Sequence, residues 1–310
     1  MKHIISAKQF KDPVILERVL AMTGHIETSL RNGTLGEPLR GKVMASLFYE
    51  PSTRTRLSFE SAMLRLGGQV IGTESAGHFS SVTKGESLKD TIKIIGQYAD
   101  VIVLRHYEEG SAEIASNVSP IPIINAGDGP GQHPTQALLD MYTIQKELGR
   151  IDRLKVAFVG DLMYGRTVHS LAYLLAQRHD IELFFVSPEE LKVSRDFIHH
   201  LDTREVSYLE TMDLIPLINE VDVLYVTRVQ KERFRSVEDY EKVKDNFIVD
   251  GSTLNLMKKN SIVMHPLPRV HELKEEVDND KRAAYFRQAQ NGLYVRMALL
   301  TMLLNGKFSE

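Results

Sequence analysis

Ser52-Thr53-Arg54-Thr55 sets three hydroxyls and a guanidinium on four consecutive residues. Val43 to Phe48 before them is an apolar run of strand length, and Leu57, Phe59, Met63, Leu64 and Leu66 after them recur at helical spacing. The four therefore stand where a strand passes through a loop into a helix. Pro51 stops the strand, and Ser52 or Thr53 is placed to cap the helix by accepting from a backbone N–H two or three residues on. Such a helix start presents free N–H groups, hydroxyls, a guanidinium and the positive end of the helix dipole. Together they form a receptor for a small phosphate-bearing anion. The plainer reading is an ordinary capped helix, and Arg54 in the first turn keeps the anion site level with it.

The same kind of polar cluster recurs after other apolar runs. Arg105-His106 follows Leu104, and Asp128, Gln132, His133 and Gln136 follow Ile124. Tyr164-Gly165-Arg166-Thr167 follows Val159, Arg228-Val229-Gln230-Lys231-Glu232-Arg233 follows Val226, and His265-Pro266-Leu267-Pro268-Arg269 follows Met264. One cluster beyond a strand is usually a solvated loop. Five at corresponding ends, carrying Arg105, Arg166, Arg228, Arg233 and Arg269, favour a shared site for anions.

The elements that must position these groups alternate. Asp12-Pro13 opens a helix to about Leu30, Gln69 to Gly72 reads as a second strand, and Ser87 caps a helix through Ile95. Between them Ser75 to Glu86 is a Gly/Ser segment without periodicity, either a surface excursion or a functional lid. Strands at 101–104 and 121–124 flank a helix at 111–116. Asn125 to Gly131 reads as a turn, and a strong helix runs from His133-Pro134 to about Leu148. Gly149-Arg150-Ile151-Asp152 breaks the pattern. The second half repeats it with strands at 156–159, 182–186, 206–208, 223–226 and 262–264, and with helices at 167–177, 188–201, 212–218 and 285–304. Near-continuous apolar strands separated by helices predict an α/β protein of two domains, each a mostly parallel sheet flanked by helices. The active site is expected in the interdomain cleft, beyond the strand ends. The expected division is residues 1–150 plus the C-terminal helix and tail 285–310 against residues 151–284.

Composition narrows the class. The 310 residues are enough for two cores. The near-balance of 38 basic and 41 acidic residues gives no support to a nucleic-acid partner. With no cysteine, disulfides, thiolate metal sites and a cysteine nucleophile are excluded. Residues 1–8 break into charge before a signal-peptide core can form, and the longest apolar stretch, Met297 to Leu304, is far short of a membrane span. A soluble, cytoplasmic protein is expected.

Ser52-Thr53-Arg54-Thr55-Arg56 followed by Ser58-Phe59-Glu60 resembles the phosphate-binding motif of the carbamoyltransferase family. Arg105-His106, His133-Pro134-Thr135-Gln136 and His265-Pro266-Leu267-Pro268 are similar to its other signatures. The family's ornithine branch carries a cysteine where this chain has Pro266, while Arg166 and Arg228-Val229-Gln230 resemble the aspartate branch. Guanidinium forks also suit a dicarboxylate and would repel a cationic amino acid.

The resemblance implies transfer of a carbamoyl group from carbamoyl phosphate to the amine of L-aspartate, an early step of pyrimidine synthesis, with no metal and no organic cofactor. It implies that Ser52, Thr53, Arg54 and Thr55 hold the phosphate and that Thr55, Arg105 and His133 face the carbonyl oxygen. Gln136 and the carbonyls of Pro266 and Leu267 would accept from the carbamoyl NH₂. Arg166, Arg228 and Gln230, with Lys84 and Leu267, would hold aspartate, and Leu267-Pro268 would be a cis bond. It further implies a homotrimer with shared active sites, in which Ser80 and Lys84 reach a neighbouring chain's phosphate site. Separate regulatory chains are compatible with this sequence, since their zinc-binding cysteines lie on another polypeptide. Glu50 and Arg233 are either a surface pair or a contact that holds a closed form. His133 could also be a plain cap, His199-His200 carries no role, and Asp161 lacks the glycines of a dinucleotide fingerprint around it. The alternatives are an ornithine-type carbamoyltransferase and a catalytically silent relative that only binds anions or serves as an assembly scaffold.

Overall fold

The apolar runs become parallel strands of two separate sheets. The computed structural model describes residues 1–74, 85–129, 131–229, 236, 238, 240–241 and 247–308. The chain divides into two compact units, residues 1–139 with 290–310, and residues 140–289.

In the first unit, β1 (Val43–Phe48), β2 (Gln69–Glu74), β3 (Val101–His106) and β4 (Ile123–Asp128) lie in the order β2-β1-β3-β4, with every pair parallel. β3 and β4 are buried along their whole length, and their apolar parts, 101–104 and 123–124, are continuous rather than alternating. Helices α1 (Pro13–Arg31), α2 (Thr53–Arg65), α3 (Leu88–Ile95) and α4 (Ser111–Val118) belong to this unit. Asp12 accepts from the Val14 N–H ahead of a first-turn proline, and the Ser87 hydroxyl accepts from the Asp90 N–H, as their types predict. Ile92 of α3 and Ala115 of α4 pack on Ala45, Leu47, Ile102, Leu104 and Ile123.

One expected turn is a strand. Asn125 to Asp128 are turn formers by type, yet they complete β4. The register against β3 shifts between Leu104 and His106, the mark of a bulge. The Asn125 side-chain oxygen accepts from the Gly127 N–H at 2.7 Å, and Gly127 takes φ +118°. The same residues that would make a free turn are used here to end a buried strand.

The division between the units falls inside two helices, α5 (Pro134–Leu148) and α9 (Tyr285–Leu304). Between them the second unit carries α6 (Arg166–Leu175), α7 (Arg195–Asp202) and α8 (Gly251–Leu256). The C-terminal part of α9 belongs to the first unit because Arg296 donates to the Ser58 hydroxyl at 2.7 Å and lies over the Phe59 ring.

The second unit holds β5 (Lys155–Val159), β6 (Glu182–Val186), β7 (Ser207–Thr211), β8 (Val223–Val226) and β9 (Ile262–Met264) in the order β7-β6-β5-β8-β9, again all parallel. Its core includes Ala157, Val159, Phe184, Val186, Leu224, Val226, Val263 and Tyr285. Asp140, at 0% exposure, accepts from Tyr225 Oη at 2.9 Å and Gln288 Nε2 at 2.6 Å, tying the middle of α5 and the start of α9 to β8.

Two expected helices differ. Residues 212–218 form no helix: the Thr211 hydroxyl takes the Asp213 N–H, Asp213 takes the Ile215 N–H, and Pro216 has none to give. The segment 188–201 splits into a short 3₁₀ turn, Glu189–Leu191, and α7, which Ser194 caps through the Phe197 N–H. Among the described residues, no helix is long and apolar enough to cross a membrane.

Gly160 follows β5 at φ +113°, where an added Cβ would lie 2.3 Å from the Thr227 carbonyl oxygen. Gly160→Ala should therefore destabilise the protein by ~1–3 kcal/mol or more. The expected result is a lower urea midpoint with an unchanged slope, and an unaltered midpoint would refute the close approach.

Candidate active site

Ser52 occupies the N-cap position of α2 with φ −159° and ψ 84°, and its side chain makes no cap bond. The expected capping role is thus corrected: the hydroxyl is left for something else. Thr53 and Arg54 are exposed, Ser52 is half-buried and Thr55 is buried. Among the described residues Arg54 has no ion-pair partner. Arg56, by contrast, pairs with Glu60 at 2.8 Å, and that carboxylate also accepts from the Ser46 hydroxyl. Of the two arginines in the run, one is structural and one faces solvent at a helix start whose first N–H groups lack helical acceptors.

Arg105 sits near the end of β3, 8% exposed. Its Nη2 lies 2.7 Å from Glu50 Oε2 and its Nη1 donates to the Ala126 carbonyl. Glu50 therefore meets Arg105 here, while Arg233, the expected partner, lies outside the described residues, as do Ser80, Lys84 and Gln230. His106 is a packing residue. Its ring lies 4.8 Å from that of Tyr49, and its Nδ1 accepts from the Glu108 N–H. Burial lowers its pKa, which keeps the ring neutral.

His133 and Gln136 open α5 and are both buried, with the Gln136 N–H donating to the His133 carbonyl at 3.0 Å. Asp128, which the sequence marked only as one of a polar cluster, is the hub that sets this turn. It accepts from the Gln132 N–H at 2.8 Å, the Asn125 amide at 3.0 Å and the Gly110 N–H at 3.1 Å. The Gln132 side chain turns instead to the N-terminus, accepting from Ser6 and Ala7. The first unit thus gathers hydroxyls, helix-start N–H groups and a guanidinium on α2, with Arg105 at the end of the strand next to β1.

In the second unit Arg166 is the first residue of α6, half-buried, after a Gly165 that leaves the helix start without a side-chain cap. The loop before it is shaped by Asp161, which accepts from the Tyr164 N–H, and by His169, whose Nε2 is 2.7 Å from the Leu162 carbonyl. Asp161 is therefore a turn former. Arg228 is half-buried just beyond β8, where Thr227 fixes the chain by donating its N–H and hydroxyl to the Val159 carbonyl. Pro266 and Leu267 are half-buried, Leu267 has φ +56°, and the Leu267-Pro268 bond is cis.

Arg269 corrects the expectation of five site cations. It makes a two-pronged pair with Asp278, to which Tyr285 Oη also donates, and its guanidinium stacks near the Tyr285 and Phe286 rings. The bonds from Arg269 hold the Asp278 carboxyl below the usual carboxylate range, so the charge is spent within the fold. Among the described residues, no group of three His, Asp or Glu side chains could hold a metal ion.

Comparison with known proteins covers both units. Residues 2–146 match the family model described as aspartate/ornithine carbamoyltransferase, carbamoyl-P binding domain, and residues 152–303 match its Asp/Orn binding domain. The chain is 54% identical over 307 residues to aspartate carbamoyltransferase 3, chloroplastic, of Pisum sativum, covering 99% of this chain and 78% of that one. A solved catalytic subunit of M. jannaschii aspartate transcarbamoylase superposes with a TM-score of 0.94 at 50% identity, covering 100% of both chains. The Trypanosoma cruzi aspartate transcarbamoylase in complex with N-(phosphonacetyl)-L-aspartic acid superposes with a TM-score of 0.91 at 41% identity, covering 97% of this chain and 95% of that one.

Proposed function

The chain belongs to the aspartate/ornithine carbamoyltransferase family, and from that premise we propose its reaction and the part each residue plays in it. It transfers the carbamoyl group of carbamoyl phosphate to the amine of L-aspartate, giving N-carbamoyl-L-aspartate and phosphate for pyrimidine biosynthesis. The observation that carries this at the residue level is the first turn of α2, where Ser52 makes no cap bond and Arg54 no ion pair among the described residues. Helix N–H groups, hydroxyls and a guanidinium there match a phosphate that must be bound and then released as a leaving group.

Carbamoyl phosphate goes to Ser52, Thr53, Arg54 and Thr55, with Thr55, Arg105 and His133 donating to the carbonyl oxygen as it becomes an oxyanion. Gln136 and the Pro266 and Leu267 carbonyls accept from the NH₂ group. L-Aspartate goes to Arg166, Arg228 and Gln230. The amine attacks the carbonyl carbon, the tetrahedral oxyanion collapses, and phosphate departs carrying the proton the amine loses, with its charge matched by Arg54. The residues bind, orient and stabilise charge, and none forms a covalent bond to substrate.

The reading includes a cytoplasmic homotrimer in which Ser80 and Lys84 serve a neighbouring chain. Supporting an interface, Leu57 and Leu64 lie two turns apart on α2 and are both more than half exposed, and Ile71 on the edge strand β2 is 42% exposed.

A ureido-product assay with aspartate and ornithine side by side tests the substrate. Turnover with ornithine and none with aspartate would overturn the assignment. Arg228→Ala should raise the aspartate KM and lower kcat/KM roughly 10- to 100-fold, the loss of one charge-assisted carboxylate pair of ~1.5–3 kcal/mol. Unchanged kinetics would remove Arg228 from the carboxylate clamp.

A further inference from the structure

We propose that Glu272 is a positioning residue for this transfer, acting through the His265 ring on the Leu267 backbone; the proposal rests on the function just given. His265 follows β9 and is 2% exposed, and Glu272 is 5% exposed. The His265 N–H donates to Gln288 Oε1 at 2.9 Å, which fixes where the ring starts. His265 Nδ1 lies 2.8 Å from the Leu267 nitrogen. A backbone N–H can only donate, so Nδ1 must be the acceptor and the ring proton must sit on Nε2.

That proton points at Glu272, whose Oε1 is 2.9 Å from His265 Nε2. The Val270 N–H reaches Oε1 and the His271 N–H reaches Oε2, both at 3.1 Å. Three N–H groups thus converge on a group that only accepts, as a carboxylate does. Burial pushes the Glu272 carboxyl up, but the bond from His265 and the backbone donors outweigh it and hold it below the usual range. The anion selects the tautomer, and the tautomer selects the Leu267 conformation. Leu267 needs such a hold because φ +56° is a backbone region that a branched apolar residue rarely enters. The Pro266 and Leu267 carbonyls, assigned to the carbamoyl NH₂, are aimed by this backbone.

The test separates action through His265 from simple support of the loop. Glu272→Ala should lower kcat by about tenfold while phosphate affinity, read by calorimetry, stays within about threefold, since phosphate is held by α2. His265→Asn keeps a side-chain oxygen able to accept the Leu267 N–H as in an Asx turn, without needing Glu272. In that background Glu272→Ala should change kcat by less than about twofold. Equal losses in both backgrounds, or kcat and phosphate stoichiometry falling together, would overturn the proposal. The ¹⁵N signals of the His265 ring give a readout that needs no turnover. They should show the Nε2–H tautomer in the unaltered protein and its loss in Glu272→Ala, or in the milder Glu272→Gln where the alanine variant does not fold. An Nδ1–H or doubly protonated ring in the unaltered protein overturns the proposal, as does a Glu272 variant whose kcat and tautomer do not move together. An unaltered protein with the expected tautomer but no transfer to aspartate would refute the reaction and leave this hydrogen-bond chain standing.

Discussion

Arg54→Ala should lower kcat by roughly 10²–10³-fold, the loss associated with removing one preorganised partner of transition-state charge. The leaving phosphate gains charge as the C–O bond breaks, so a guanidinium beside it is worth more in the transition state than in the ground state. The effect should therefore fall on kcat and not only on the carbamoyl phosphate KM. Arg54 stands exposed in the first turn of α2 with no ion pair among the described residues, so its replacement leaves no buried charge behind. Thermal stability should stay close to that of the unaltered protein. Arg54→Lys restores a charge but not the planar fork, and should recover only part of the rate. A kcat for Arg54→Ala within about threefold of the unaltered value would show that this guanidinium is not the partner of the leaving group.

The contrast between Arg54 and Arg269 shows what the sequence could and could not express. Both follow apolar strands; Arg54 reads as part of a helix-start anion receptor, and Arg269 as one of the five strand-end cations. Arg54 is open because the residues around it are hydroxyl donors and a neighbouring arginine, while Glu60 takes up Arg56. Arg269 is spent on Asp278 nine residues away, a pairing that only the course of the chain between them determines. Local pattern tells where a charge stands relative to a strand. It does not tell which carboxylate the intervening loop brings back.

Parallel architecture was legible because buried parallel strands leave a strong local mark: continuous apolar runs such as 101–104 and 156–159. Departures came where side chains compete with the backbone. Asn125 and Asp128 are turn formers by type, but in β4 their polar atoms are satisfied inside the sheet and at the start of α4, so the strand runs on. At 212–218 the competition went the other way, and the side chains of Thr211 and Asp213 captured N–H groups that a helix needs. Glu272 and Asp140 carried no sequence signal at all. A lone acidic residue reads as surface, and only the fold buries one against His265 and the other against Tyr225 and Gln288.

The proposed homotrimer leads to the last expected result, an activity that appears only on mixing. Arg54→Ala and Lys84→Ala chains should each be nearly inactive alone, because in the proposed site each removes a charge facing the same phosphate. If Lys84 serves the Arg54 of a neighbouring chain, unfolding equal amounts of the two, mixing and refolding brings intact halves together. A working site needs a chain bearing Arg54 followed around the ring by a chain bearing Lys84. With random assembly each condition holds half the time, so ~one quarter of sites should be complete, a consequence of repeating one heterologous interface in a closed ring. A chain that supplies its own lysine cannot combine the two intact halves, whatever the mixture. Native electrophoresis of a charge-tagged variant separates hybrid from parental trimers, so assembly and activity are read on the same sample. Hybrid trimers that form and show no recovered activity would refute the shared site, and a protein that stays monomeric while fully active would refute the trimer itself.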